Sequence, residues 1–216
     1  MIPRTSHRVL LLPALVLLMM LAAGTLRVPR LHAEAPVAAD TAVFAGGCFW
    51  GIEGVFEHLR GVTSAVAGYA GGTTVAPTYE QVSSGTTGHA ESVQVVYDPA
   101  IITYAQLLQV FFTVAHDPTE LNRQGPDEGT QYRSIVFYRG AAQRHAVESY
   151  VAELGRRKMY PGPIVTQIVP LTVFYRAEAY HQHYMALHPR APYIVYNDAP
   201  KVERLKREFP SWYVER

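Results

Sequence analysis

Cys48, the only cysteine of the 216-residue chain, is the strongest candidate for covalent chemistry. It follows Gly46 and Gly47, where a short apolar run gives way to a helical pattern. Glycines permit a tight turn, and the first N–H groups of a helix favour negative charge. We therefore expect a lowered pKa for this thiol and a thiolate nucleophile. The alternative is a buried cysteine that packs as a small apolar side chain.

Carboxylates, phenols and imidazoles are the other groups that could move protons or hold a ligand. Taken alone, Glu91 could be an exposed carboxylate, and any of the 14 tyrosines could be a packing residue. His181, His183 and His188 suggest metal binding. However, positions two apart on a helix point in different directions, and the HExxH spacing is absent. We predict no metal site.

Alternating strands and helices from about Asp40 onward must position these side chains. Apolar runs and period-two alternation predict strands, and apolar spacings of three and four predict helices. In the first half, the predicted strands are residues 41–45, 62–69 and 91–97, and the first helix is residues 48–59. The Gly/Thr/Pro-rich residues 70–88 predict a functional loop. Thr103 and Gln106 form the capping box of another helix.

The second half continues the alternation. Its predicted elements are a turn-rich stretch at 116–130, a strand at 133–138, a helix at 141–158, an extended segment at 164–175, a helix at 178–187, a strand-like piece at 193–197 and a helix at 201–209. Pro170 interrupts the extended segment. Because the two periods interleave throughout, the class is α/β or α+β in a single domain.

Residues 1–33 follow a different pattern from the rest. Arg4 and Arg8 precede an apolar run, and Ala33 is a small residue suited to cleavage. The run is shorter than the roughly 20 residues of a membrane span. We predict a secretory signal peptide, with an uncleaved N-terminal anchor as the alternative, and a periplasmic or secreted protein. Residues 34–40 are then a linker before a domain at 41–216.

Composition excludes several classes of protein. The 19 Lys+Arg residues nearly balance the 18 Asp+Glu residues, which argues against a nucleic-acid partner. A hydrophobic fraction of 49% supplies a core and argues against disorder. One cysteine excludes an internal disulfide, a Cys-rich zinc site and a CxxC pair.

Ten short motifs occur in order between residues 47 and 184. They are GCFWG (47–51), GYAGG (68–72), PTYE (77–80), TGHAE (87–91), HDP (116–118), QGPD (124–127), GTQYRS (129–134), FY (174–175), AE (177–178) and HQHY (181–184). A single motif would be a modest signal, but the ordered set is highly specific. With it the chain resembles the peptide methionine sulfoxide reductase A family, single-cysteine type, with residues 41–216 as the catalytic domain.

The resemblance implies that Cys48 attacks the sulfur of methionine sulfoxide. Glu91 would be the acid that protonates the departing oxygen, which needs a pKa raised by burial. Tyr79 and Tyr132 would hold that oxygen as neutral donors. Each of these side chains could instead be a packing residue or an exposed surface residue. The ordered motifs favour the functional interpretation.

The resemblance also assigns a pocket for the substrate. Phe49 and Trp50 would form the wall that receives the S-methyl group, because sulfur packs well on aromatic rings. Asp127 would lie at the pocket edge. The residues expected either to support this pocket from behind or only to pack are Glu178, His181 and Tyr184.

Fold and partners follow from the same resemblance. The fold would be α+β, with a ferredoxin-like βαβ core and a mixed sheet flanked by helices. Substrates would be oxidised proteins and free methionine sulfoxide, as the S epimer. Without a second cysteine, an external thioredoxin-like, glutaredoxin-like or small thiol would resolve the Cys48 sulfenic acid. We expect no bound cofactor, a monomer, and membrane contact only through an uncleaved N-terminus.

Two other functions stay open at this point. One is a Cys–His hydrolase in which His89 or His116 acts as the base for Cys48. The other is a non-catalytic periplasmic binding module whose aromatic pocket captures methionine-rich segments.

Overall fold

The computed structural model describes Met1 and residues 38–216. The predicted signal peptide, residues 1–33, therefore lies outside the described residues apart from Met1 and stays a prediction. Among the residues described, no helix combines the length and the apolar character needed to cross a membrane.

Strands and helices alternate along the described residues. The strands are β1 (Asp40–Ala45), β2 (Val62–Ala70), β3 (Ala90–Tyr97), β4 (Arg123–Gln124), β5 (Asp127–Glu128), β6 (Ile135–Tyr138), β7 (Gln167–Pro170) and β8 (Phe174–Arg176). The α-helices are α1 (Phe49–Glu57), α2 (Tyr79–Ser83), α3 (Tyr104–Val110), α4 (Ala141–Arg156), α5 (Tyr184–Leu187) and α6 (Ala199–Glu208). Other helical turns are π-helical at Phe111–Ala115 and Ile194–Asp198, and 3-10 at Thr130–Tyr132 and Ala179–His181.

The main sheet is mixed, with the strand order β7-β6-β1-β3-β2-β8. β3 pairs antiparallel with both β1 and β2, so β1 and β2 run parallel and α1 connects them. This is a βαβ unit with a third strand between its two parallel strands. The β6–β7 pair is parallel, and α1 and α4 pack on the sheet. The α+β class, with a βαβ core and a mixed sheet flanked by helices, is confirmed.

The strand register brings the start of β3 to the end of β1. Phe44 near the end of β1 pairs with Val93, and β3 runs in the opposite direction. Glu91, two residues before Val93, therefore lies where the chain leaves β1 toward Cys48. On its other side Glu91 pairs with Tyr69 of β2. Sheet geometry thus places the carboxyl beside the cysteine.

The core surrounds β1 on both faces of the sheet. Phe44 is fully buried and stacks on Phe56 of α1 at 5.1 Å and on Phe111 at 4.8 Å between ring centroids. Val43 and Ala45 point to the opposite face, into a second apolar cluster. Aromatic packing therefore fixes α1 against the strand that precedes Cys48.

The helix predicted for residues 178–187 is wrong. A 3-10 turn ends before Gln182, His183 takes a left-handed φ of 55°, and the four-residue α5 follows. The side-chain amide of Gln182 accepts a hydrogen bond from Ala67 N at 3.2 Å and donates one to Ala67 O at 3.0 Å. These bonds to β2 hold the backbone in a shape that a continuous helix could not adopt.

The strand-like prediction for residues 193–197 is also wrong. This segment contributes to a π-helical turn that runs directly into α6. Ile194 and Asp198 are buried, whereas Val195 and Tyr196 are exposed, so burial repeats every four residues and not every two. A helix satisfies that pattern.

Capping boxes account for one success and one omission. The predicted box at Thr103 and Gln106 is confirmed, with both reciprocal hydrogen bonds present at the start of α3. A second box, at Thr78 and Gln81, starts α2 inside the predicted loop 70–88. The Gly/Thr/Pro-rich composition of that loop concealed the short helix.

Phe44 provides a test of the core. We expect Phe44→Ala to lower the free energy of unfolding by about 3–5 kcal/mol, because it removes the ring on which Phe56, Tyr104 and Phe111 stack. The exposed Tyr196 is the matched control, and Tyr196→Ala should change stability by less than about 0.5 kcal/mol. Denaturant unfolding measures both, and equal losses in the two variants would contradict the described packing.

Candidate active site

Cys48 occupies the sharp bend between β1 and α1. Gly47 has a φ of 95°, and a Cβ there would lie 2.6 Å from the Gln124 side chain. The glycine is required both for the turn and for the close approach of this neighbour. Cys48 is the N-cap residue of α1 and is 8% exposed. The predicted glycine turn before a helix-start cysteine is confirmed.

Glu91 is buried directly against this helix start. Its Oε2 accepts a hydrogen bond from Phe49 N at 3.0 Å, which satisfies one of the free N–H groups of the first turn. The pKa of Glu91 is raised to about 8, with burial as the largest cause. The Phe49 N–H lowers this pKa, and the charges of Asp127 and Asp198 raise it. The carboxyl is therefore mainly protonated at neutral pH, as its expected role as an acid requires.

The expected lowering of the Cys48 pKa is wrong for this structure. Burial raises the pKa of the thiol well above its ordinary value, and the charges of Glu91 and Asp198 add to the effect. The backbone N–H of Trp50 and the Lys201 ammonium lower the same pKa but are outweighed. The helix start does favour the thiolate, but desolvation of a buried charge is the larger effect.

Tyr79 and Tyr132 are half-buried phenols close to Glu91 and Cys48. Burial raises the pKa of each phenol, and the charges of Glu91 and Cys48 contribute in both cases. Both hydroxyls are consequently neutral at pH 7 and can donate hydrogen bonds. The structure thus brings the predicted nucleophile, acid and phenols together, while their individual roles stay predictions.

The aromatic pair after Cys48 contacts His181 and Tyr184 from the C-terminal part of the chain. Phe49 is buried, and Trp50 is half-buried and stacks on Tyr184 with ring centroids 3.8 Å apart. Trp50 Nε1 donates to His181 Nδ1 at 3.1 Å. Burial lowers the pKa of His181, so its ring is neutral and can accept this bond.

Glu178 holds the predicted phenol site through two hydrogen bonds. Its Oε1 accepts from Tyr79 N and its Oε2 accepts from the Tyr69 hydroxyl, both at 2.8 Å. The sequence left open whether three residues support the pocket or only pack. Each of them contacts a residue that the motifs assign to the site: Glu178 contacts Tyr79, and His181 and Tyr184 contact Trp50.

A pocket of about 80 Å³ opens beside the cysteine. It is lined by Cys48, residues 124–127, Tyr193, Asn197 and Lys201. Asp127 lies there as expected for a pocket-edge residue, and the Tyr193 hydroxyl donates a hydrogen bond to its carboxylate. Larger clefts of about 310–550 Å³ are lined by other residues and not by Cys48. The small pocket suits the end of a side chain.

The sequence prediction missed the C-terminal wall of this pocket. Tyr193, Asn197 and Lys201 are spaced by four residues along one helical run, so they share a face. Asp198 lies behind them and is fully buried. The spacing of four is visible in the sequence, but the strand-like interpretation of residues 193–197 concealed it.

His89 and His116, the candidate bases of a hydrolase, have other partners. His116 Nε2 is 2.7 Å from Ser134 Oγ and its Nδ1 is 2.9 Å from a backbone carbonyl oxygen. Both nitrogens of His89 bind backbone groups of residues 70–88. Burial lowers the pKa of His116 to about 4. These contacts give neither ring the hydrogen bond to Cys48 that a Cys–His pair requires.

Glu53, Glu57 and His183 are possible metal ligands among the described residues, with their ligand atoms within 4.8 Å of one another. In this structure they bind each other. Glu53 Oε2 accepts from His183 N at 2.8 Å, and Glu57 pairs with His183 Nδ1. The cluster therefore ties α1 to the start of α5.

Comparisons with known proteins agree on one family. Residues 40–212 match the family model described as "Peptide methionine sulfoxide reductase". The chain is 55% identical over 183 residues to peptide methionine sulfoxide reductase MsrA 2 of Mesorhizobium japonicum, covering 85% of this chain and 94% of that one. It is 51% identical over 172 residues to MsrA of Thermus thermophilus, covering 80% and 96%.

Solved structures give the same result. Methionine sulfoxide reductase A of Corynebacterium diphtheriae superposes with a TM-score of 0.63 at 38% identity, over 73% of this chain and 78% of that one. Reduced Mxr1 of Saccharomyces cerevisiae superposes with a TM-score of 0.65 at 34% identity, over 73% and 90%.

Glu178 provides a test of how Tyr79 is held. Both of its partners are donors, so Glu178→Gln must turn an amide N–H toward either the Tyr69 hydroxyl or the Tyr79 amide. We expect a loss of about 1–3 kcal/mol in the free energy of unfolding, measured with denaturant. The exposed Glu80 is the matched control, and Glu80→Gln should cost less than about 0.5 kcal/mol. The loss should be smaller when Glu178→Gln is made in a Tyr69→Phe background, where the hydroxyl is already absent. An equal loss in both backgrounds would contradict the hydrogen bond between Tyr69 and Glu178.

Proposed function

The chain belongs to the peptide methionine sulfoxide reductase A family, and we propose that Cys48 is the residue that removes oxygen from its substrate. The protein is an oxidoreductase that reduces methionine sulfoxide in the repair of oxidised proteins. The observation that carries the proposal is the convergence of the single thiol and the protonated Glu91 carboxyl at the start of α1.

In the proposed first step, Cys48 gives two electrons to the sulfoxide. Cys48 loses its thiol proton to water, and the thiolate attacks the sulfur to form an S–S bond. This bond and the S–O bond of the substrate break as the oxygen passes to the Cys48 sulfur, where a new S–O bond forms. The oxygen takes a proton from Glu91, so the products are methionine, a Cys48 sulfenic acid and a Glu91 carboxylate, which then regains a proton from water. Burial, by raising the pKa of Glu91 to about 8, keeps this proton available at neutral pH.

Substrate placement is assigned to the residues around the thiol. The neutral hydroxyls of Tyr79 and Tyr132 would donate hydrogen bonds to the sulfoxide oxygen, where negative charge develops as the S–O bond breaks. Phe49 and Trp50 would receive the S-methyl group, since sulfur–aromatic contacts contribute about 0.3–1.5 kcal/mol. The stacking of Trp50 on Tyr184 fixes this wall before substrate arrives.

The second half of the cycle requires an external thiol, because Cys48 is the only cysteine in the sequence. One thiol attacks the sulfenic acid, releases water and leaves a mixed disulfide on Cys48. A second thiol attacks this disulfide and restores the Cys48 thiol. We assign the reductant to a thioredoxin-like protein, a glutaredoxin-like protein or a small thiol.

Substrate form and location complete the proposal. From the family resemblance, the preferred substrate is the S epimer, in oxidised proteins and as free methionine sulfoxide. The basic and apolar pattern of residues 1–33 supports export, with activity in the periplasm or outside the cell.

Turnover without a reductant tests the one-thiol mechanism. With the S epimer and no added thiol, we expect one methionine per enzyme and the mass of one oxygen on Cys48, measured by chromatography and mass spectrometry. The R epimer should give no methionine, and Cys48→Ser should be inactive with either epimer. Several turnovers in the absence of any thiol would contradict the mechanism.

The acid role of Glu91 makes a separate pH prediction. We expect Glu91→Gln to slow single-turnover methionine formation by about 10²–10⁴-fold, because the amide cannot donate an acidic proton. In the wild type the rate should rise with pH as Cys48 ionises and then level off above about pH 8, because deprotonation of Glu91 offsets the further gain in thiolate. In the variant the rate should continue to rise above about pH 8. Glu148→Gln, at an exposed position on α4, is the control. The same levelling above about pH 8 in Glu91→Gln would exclude Glu91 as the acid.

A further inference from the structure

The C-terminal helical run places a positive charge beside the reacting cysteine. Lys201 lines the same small pocket as Cys48, and its side chain is only 19% exposed. Its Nζ forms an ion pair with Asp198 Oδ1 at 3.0 Å. An ammonium group with so little exposure is weakly screened by water, so it acts strongly on nearby charges.

The ion pair is fixed against α1 itself. Asp198 is fully buried, and a Cβ on Gly51 would lie 2.1 Å from Asp198 Oδ1 and 2.8 Å from Lys201 Nζ. The absence of a side chain at Gly51, in the first turn after Cys48, therefore leaves the space that the pair occupies. Helix α1 and the start of α6 meet at this point.

We propose that Lys201, held in place by Asp198, is the counter-ion that stabilises Cys48 as a thiolate. In this role Lys201 is a positioning residue: it acts through Cys48 and transfers no atoms itself. What the thiolate is used for rests on the proposed function: as the attacking group on the sulfoxide, and as the leaving group when a reductant breaks the mixed disulfide.

The charged surroundings of Cys48 explain why a counter-ion is needed. The ionisable groups that face it are Glu91 from β3, Asp127 from the β4–β5 hairpin, Tyr79 from α2, Tyr132, Tyr193, Asp198 and Lys201. Apart from Lys201 these are acids, and burial raises the pKa of the three phenols, which stay neutral. His116 nearby is uncharged, since burial lowers its pKa to about 4.

Two substitutions with opposite expected effects test the proposal. We measure the pH dependence of Cys48 alkylation by iodoacetamide, followed by the mass of the intact chain, which reports one site because the chain has one cysteine. Lys201→Met should move the midpoint up by about one pH unit, and Lys201→Arg should restore it. Asp198→Asn keeps an oxygen acceptor for Lys201 but removes the negative charge, so it should move the midpoint down.

The direction of these shifts separates electrostatics from structural damage. If the substitutions merely disrupted the pocket, the alkylation midpoint would move in the same direction in Lys201→Met and in Asp198→Asn. That result would overturn the proposal. Lys206→Met, an exposed lysine of the same helix, is the matched control and should leave the midpoint unchanged. An unchanged midpoint in Lys201→Met, even with a raised KM for the reductant, would also overturn the proposal.

The alkylation assay needs no sulfoxide. A wild type without reductase activity that still shows the opposite shifts would contradict the proposed function and support the counter-ion role. An active wild type whose variants lack those shifts would support the proposed function and contradict the counter-ion role.

Discussion

A buried carboxyl from one strand binds the first backbone N–H of the helix that begins at Cys48. The hydrogen bond from Phe49 N to Glu91 joins β3 to α1, and the register of β1 with β3 brings the two together. Burial keeps the carboxyl protonated at neutral pH, and a neutral acid is far less costly to bury than a charged one. The same dry environment opposes ionisation of Cys48. Burial therefore raises the pKa of both Glu91 and Cys48, and the chemistry of the site depends on this.

The sequence predicted the central part of the structure well, because the signals there are local. A strand, two glycines and a helical stripe around Cys48 gave the correct bend, and a capping box gave the start of α3. The helix at residues 178–187 failed for a reason that no local pattern contains. Gln182 binds the backbone of β2, more than 100 residues earlier in the chain, and that contact breaks the helix.

The pKa of Cys48 also could not be predicted from local sequence patterns. Helix-start reasoning concerns one element and correctly identified a lowering effect, which the Trp50 N–H provides. Burial and two acids outweigh it, and one of those acids, Asp198, comes from a segment interpreted as following a strand. Lys201 was missed for the same reason. Site residues on recognisable motifs could be found from the sequence, but those on the C-terminal run required the fold.

The supports of the site come from the last quarter of the chain. Glu178 binds Tyr79, His181 binds Trp50, and Lys201 lines the pocket beside Cys48. Synthesis from the N-terminus therefore produces Cys48 before the residues that enclose it. Until residue 201 has been synthesised, a growing chain carries Cys48 without Lys201, its proposed counter-ion, and without the other residues of the pocket wall. Enclosure of that sulfur therefore depends on residues at the far end of the chain.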